Sequence, residues 1–129
     1  MIVAFTVPGP PMPAPRATQF IDAETGKRRA AFVKKRKTGM SYPAYKAHVG
    51  RIAQAALSRS GAWDFDGKKG VRVLVYRAAK RGDVDNYEKG CLDSLKGILW
   101  PDDRVVMDLH TTMIDGDPRP RLEVEVRCL

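Results

Sequence analysis

Val71-Arg72-Val73-Leu74-Val75-Tyr76, followed by Arg81-Gly82-Asp83-Val84-Asp85-Asn86-Tyr87-Glu88-Lys89, is the stretch that decides the fold. The first half is β-branched and reads as a strand, with Arg72 placing it at a sheet edge. In the second half Val84, Tyr87, Cys91, Leu95 and Ile98 recur at helical spacing, so a helix runs from about Asn86 to Leu99 and stops before Pro101. A strand feeding a helix in this way predicts an α/β (α+β mixed) domain.

Working outward, residues 2–7 alternate and form a first strand. Pro8-Gly9-Pro10-Pro11-Met12-Pro13-Ala14-Pro15 then excludes regular hydrogen-bonded structure and favours an extended path. Residues 16–40 carry no clean period and read as a long, basic, mobile loop, with room for a short hairpin around Gly26. Ser41 caps a helix that reaches about Ser60, with Pro43 in its first turn and Gly61 past its end. Tyr42, Tyr45, Val49, Ile52, Ala53 and Ala56 form its apolar stripe. Asp64 to Gly67 is a turn. Arg104 to Ile114 and Arg121 to Arg127 read as two antiparallel strands joined across Asp115-Gly116-Asp117-Pro118, a hairpin tip. His48 has no ligand partner near it in sequence and is structural or at the surface.

With 129 residues and 43% hydrophobic content, residues 1–129 make one domain with its own core. No run approaches a membrane span, and the N-terminus does not read as a signal peptide. Two cysteines, Cys91 and Cys128, are too few for a disulfide framework and suit a cytoplasmic protein. The net charge of +8, from 23 Lys+Arg against 15 Asp+Glu, favours a polyanionic partner, nucleic acid first. The absence of a paired aromatic stacking motif weighs against an RNA-binding module.

Acids gathered inside so basic a chain point to phosphodiester chemistry. Two carboxylates at i and i+2 of an extended segment share a side, so Asp83 and Asp85 can converge on one cation. Mg²⁺ needs hard oxygen ligands and keeps several waters, so a third carboxylate suffices; Asp103 is the candidate, ahead of Asp102. Lys89, four residues after Asp85, shares its helix face and can neutralise a phosphate beside the helix N-terminal amides.

Each of these residues also has a plainer role. Asp85 with Glu88 forms a capping box, Lys89 with Asp93 an i,i+4 pair, and Asp102-Asp103 a polar turn. Asp83 is the exception, because the cap does not need it.

Arg81-Gly82-Asp83-Val84-Asp85-Asn86-Tyr87-Glu88-Lys89, then Leu92-Asp93-Ser94-Leu95, then Asp102-Asp103-Arg104-Val105-Val106, resembles the RusA family of Holliday junction resolvases. Val7 to Pro13 is also similar to that family's N-terminus. The resemblance implies a RusA-like mixed sheet with packed helices and a homodimeric, Mg²⁺-dependent endodeoxyribonuclease, with Mn²⁺ as the alternative ion. It also implies an enzyme of DNA recombination and repair, bacterial or phage-encoded, that nicks two strands of a four-way junction symmetrically. Asp83, Asp85 and Asp103 match the family's metal-site aspartates, and Lys89 its catalytic lysine. Arg16, Lys34, Lys35, Arg36 and Lys37 are the expected DNA-phosphate contacts. The alternatives are a nuclease of the same family acting on flaps or other branched DNA, and a non-catalytic junction-binding protein.

A straight helix over 86–99 would be roughly 21 Å long at 1.5 Å per residue, which holds Asp103 far from Asp85. Either Gly90 or Gly97 breaks that helix, or the chain folds back, or a second subunit completes the site.

Overall fold

The computed structural model describes residues 1–15, 17–21, 28–32, 40–77, 80 and 82–129, the segments 17–21 and 28–32 as backbone. Strand β1 (Ile2–Pro8) alternates as expected, with Val3, Phe5 and Val7 buried. Strands β2 (Ala17–Ile21) and β3 (Arg28–Phe32) pair antiparallel as a two-stranded ribbon, so part of the stretch read as loop is a hairpin. Helix α1 (Tyr42–Ser60) starts where the cap residue places it, the Ser41 hydroxyl accepting from the Ala44 amide. Between α1 and the next strand the Asp64 carboxylate accepts from the Gly67 amide, closing the expected turn.

Strand β4 (Lys69–Arg77), helix α2 (Val84–Leu95), strand β5 (Val106–Asp115) and strand β6 (Arg121–Cys128) complete the chain. The main sheet has the order β1-β6-β4-β5, with β5 parallel and β6 antiparallel to β4. Two expectations are overturned here. β4 is an inner strand, so Arg72 lies on its exposed face and not at an edge. β5 and β6 do run in opposite directions, but β4 lies between them, so the 115–118 connection is no hairpin tip. The cause is α2, the crossover that a parallel β4–β5 pair requires.

α2 is shorter than its apolar pattern suggests. It ends at Leu95, and a tight turn follows in which Gly97 takes φ 85 and its amide donates to the Trp100 carbonyl at 2.7 Å. That φ suits glycine alone at little cost, so Gly97 sets the stop before Pro101 is reached. Leu99 and Trp100 continue the buried side from within this turn, which is why the periodicity overruns the helix.

Both helices contribute to a single core. Val71, Val73 and Val75 of β4, Val126 of β6, Leu95, Leu99, Trp100 and Ala53 are all fully buried in it. The proline segment lies against α2, where the Ala14 amide donates to the Asn86 carbonyl at 2.9 Å. A Cβ on Gly90 would stand 3.3 Å from the Met12 carbonyl oxygen and 3.4 Å from the Ala14 nitrogen, so the two segments cross closely at this glycine. This contact carries the N-terminal segment to the start of α2, beside the acidic pair.

Candidate functional site

Asp83 occupies the N-cap position of α2, with φ −94 and ψ 160, yet its carboxylate does not cap the helix. The capping is done by its backbone carbonyl, which accepts from the amides of Asn86 at 3.1 Å and Tyr87 at 3.4 Å. The expected Asp85–Glu88 capping box is therefore absent. Asp85 lies inside the first turn, where its charge suits the positive end of the helix dipole. Only Asp83 is extended, so the i,i+2 argument for a shared side does not carry over to this pair. Glu88 instead accepts from the Thr111 hydroxyl of β5 at 2.5 Å.

Lys89 lies one turn beyond Asp85, and both side chains are exposed. Asp93, its expected partner, accepts from the Tyr42 hydroxyl of α1 at 3.5 Å. Burial, and then the Asp93 charge, push the Tyr42 phenol up to about 12. Burial likewise raises the Cys91 thiol to about 12, with the Glu88 charge adding to it, so Cys91 is an inert core thiol.

The second acidic pair behaves differently. Asp102 caps a 3₁₀ turn (Asp103–Val105), accepting from the Arg104 amide at 3.0 Å, and that bond holds its carboxyl below the usual range. Asp103 accepts from the indole nitrogen of the fully buried Trp100 at 2.8 Å. Asp102 is thus a local cap, while Asp103 is held in place from the core.

A clasp that the sequence reading missed anchors the loop leading to Asp83. Arg77 donates to both carboxylate oxygens of Asp115 at 2.8 Å and to the Gly82 carbonyl at 3.1 Å. One guanidinium thereby ties the ends of β4 and β5 to the residue before Asp83, and it holds the Asp115 carboxyl below its ordinary value. Asp117, read with Asp115 as a hairpin tip, accepts from the Arg119 amide at 2.8 Å and from Arg121 at 3.1 Å. Arg121 also stacks 3.6 Å over the Tyr76 ring. The signal for the clasp was an arginine at the end of a strand and an acid at the end of the next, visible only once the two are known to be parallel neighbours.

Topology separates the candidate acids. Asp83 and Asp85 follow the last residue of β4, whereas Asp103 precedes β5, whose first residue Val106 pairs with Lys69, the first of β4. The nine residues of β4 span roughly 27–30 Å at 3.3 Å each, so the two groups stand at opposite ends of the sheet. Among the described residues no three His, Cys, Asp or Glu side chains come together as a metal site. The three aspartates of one chain alone therefore do not fit a three-carboxylate metal centre. Arg16, Lys34, Lys35, Arg36 and Lys37 lie outside the residues whose side chains are described. Among the described residues no helix is long and apolar enough to cross a membrane.

Comparison with known proteins agrees with the sequence resemblance. A family model described as endodeoxyribonuclease RusA matches residues 8–127, a span that contains both acidic groups and Lys89. The uncharacterized protein YqaN of Bacillus subtilis (strain 168) is 38% identical over 53 residues, 41% of this chain. The match spans only 37% of that relative's length.

Proposed function

This chain belongs to the family of RusA endodeoxyribonucleases, and from that premise we propose that it resolves Holliday junctions by paired, symmetric, Mg²⁺-dependent nicking. The family is one of DNA-cutting enzymes that act on four-way junctions, generally with a divalent metal. The observation that carries the reading is the match over residues 8–127, which takes in every proposed catalytic residue.

In this reading Asp83 and Asp85 are the acidic half of the catalytic centre, at the mouth of α2. Lys89 stands one turn behind them and places a positive charge by the scissile phosphate. The first-turn amides of α2 draw phosphate oxygens to the same place. A divalent ion in such centres supplies an activated water. Because the described residues of one chain bring no third carboxylate to Asp83 and Asp85, Asp103 comes from a second copy in this proposal, and the working unit is a homodimer. Two symmetry-related centres also suit two cuts in one junction.

Arg16, Lys34, Lys35, Arg36 and Lys37 hold the DNA through its phosphates in this proposal, so affinity should fall steeply with salt. The direct test is cleavage of a synthetic four-way junction with Mg²⁺ by wild type and Asp83→Asn, with linear duplex as control. Paired symmetric nicks in the junction, lost in the variant while binding persists, support a resolvase. Tight junction binding without any cleavage in Mg²⁺ or Mn²⁺ would favour a binding protein, in which the acids serve only as caps and turns. Cleavage of flaps in preference to junctions would keep the enzyme and change its substrate.

A further inference from the structure

The two faces of the molecule handle their charges differently. On the sheet face away from the helices, alternation sets Arg72 of β4 among Arg121, Glu123, Glu125 and Arg127 of β6 and Asp108 and His110 of β5. Three arginines there meet three carboxylates. Arg121 donates to Glu123 at 2.7 Å, Arg127 to Asp108, and Glu125 stands opposite Arg72 in register. Those charges cancel within the face.

The helix face keeps its cations open. α1 carries Lys46, Arg51 and Arg59 and no acid. Among the described residues neither Lys46 nor Arg51 pairs with a carboxylate. Both line an open trough of about 480 Å³ between the helices, together with Gln54, Asp93 and Ile98. The helices cross closely at Gly50, where a Cβ would stand 3.0 Å from Ile98 Cδ1 and 3.6 Å from the Ser94 carbonyl oxygen. Asp93, the acid on the trough wall, accepts from the Tyr42 hydroxyl at 3.5 Å, and the Lys46 ammonium lies 5.1 Å over that same ring. The Ser94 hydroxyl donates to the Gly90 carbonyl at 2.7 Å, so its proton is committed within α2.

The trough also begins where the proposed centre ends. Asp85, Lys89 and Asp93 follow at four-residue spacing on one face of α2, and Asp93 lines the trough. The helix between Asp85 and Asp93 rises roughly 12 Å at 1.5 Å per residue. At about 3.4 Å per nucleotide that is roughly three to four nucleotides of one strand.

We propose that the trough between α1 and α2 is a phosphate track, in which Lys46 and Arg51 hold the backbone of a junction arm as it leaves the cut. This rests on the nuclease reading above and names where its substrate lies. An open basic trough grips phosphates and leaves base edges unread, so its contribution is independent of sequence. The charge-balanced sheet face stays clear of DNA.

The test compares Lys46→Gln/Arg51→Gln with Arg59→Gln/Arg72→Gln, which removes the same charge from exposed positions outside the trough. Junction affinity is followed against salt in metal-free buffer, and cleavage in Mg²⁺. The logarithm of affinity falls with log salt by about 0.9 per phosphate held, so the trough pair should flatten that slope by about 1.8 and the control pair by far less. Gln54→Lys adds a cation to the trough and should steepen the slope by about 0.9, a gain that misfolding does not produce. A methylphosphonate, which lacks the charge, placed roughly three to four nucleotides from the nick should weaken wild-type binding and leave the trough pair unaffected. Equal flattening by both pairs, with no gain from Gln54→Lys, would overturn the track. Wild-type junction cleavage beside that result would leave the nuclease reading standing. Flattening confined to the trough pair, in a protein whose wild type never cleaves, would keep the track as a binding surface and sink the nuclease reading.

Discussion

The two ends of β4 carry acids of the same type under opposite constraints. At its C-terminal end Asp83 and Asp85 sit at the start of α2, and the Arg77 clasp on Asp115 and Gly82 steadies the loop that leads to them. At the other end Asp102 is committed to capping its 3₁₀ turn, while Asp103 is fixed to the buried indole of Trp100. One end offers acids on an exposed helix mouth; the other offers a single carboxylate set rigidly from the core. Among the described residues neither end gathers three metal-ligating side chains.

If both ends serve one reaction, Asp83→Asn and Asp103→Asn should be equally severe. Each should lower junction cleavage by roughly 10²–10³-fold, the scale seen when one charge-stabilising group is removed, with binding kept. Asparagine can still accept from the Trp100 indole, so Asp103→Asn should leave the thermal midpoint nearly unchanged. A variant that lost activity through unfolding would show in that same melt.

Trp100→Phe breaks the second end in another way. It removes the donor that holds Asp103 and leaves a gap in the core, at a cost of about 1–3 kcal/mol in urea unfolding. Cleavage should fall as well, by less than with Asp103→Asn, because the carboxylate is still present but unpinned.

The smallest effect belongs to the clasp at the first end. The Arg77 hydrogen bonds lower the Asp115 carboxyl, so the stability they add is present above the ordinary carboxylate range near about pH 4. It is lost as pH falls through the lowered folded-state value. The difference in melting temperature between wild type and Asp115→Asn should therefore be positive at neutral pH and shrink towards acid. A difference that grew on acidification would contradict the assigned direction.

Local chemistry made much of this legible before any coordinates. The alternation of Val3, Phe5 and Val7, the Ser41 cap and the valines of β4 each announce their element through neighbours in sequence. What stayed hidden is nonlocal. Nothing near Asp115 says that β4 lies between β5 and β6, so the connection looked like a hairpin. Leu99 and Trp100 keep helical spacing inside a turn, so only the conformation of Gly97 marks the end of α2. At the site the residue types were readable, but the N-cap moved from Asp85 to Asp83, and the Trp100–Asp103 bond joins residues whose pairing depends on that turn.

The claim that the two ends of β4 meet across two copies has a direct measurement: mixing Asp83→Asn with Asp103→Asn and following junction cleavage. Each variant alone should show only the residual cleavage left after that loss. A mixed dimer holds one doubly altered centre and one in which Asp83 of one copy meets Asp103 of the other, both native. Recovered cleavage, with a single nick per junction from each mixed dimer, is the predicted result. No recovery, in a mixture shown by mass to have exchanged subunits, would contradict the account and return the site to a single chain.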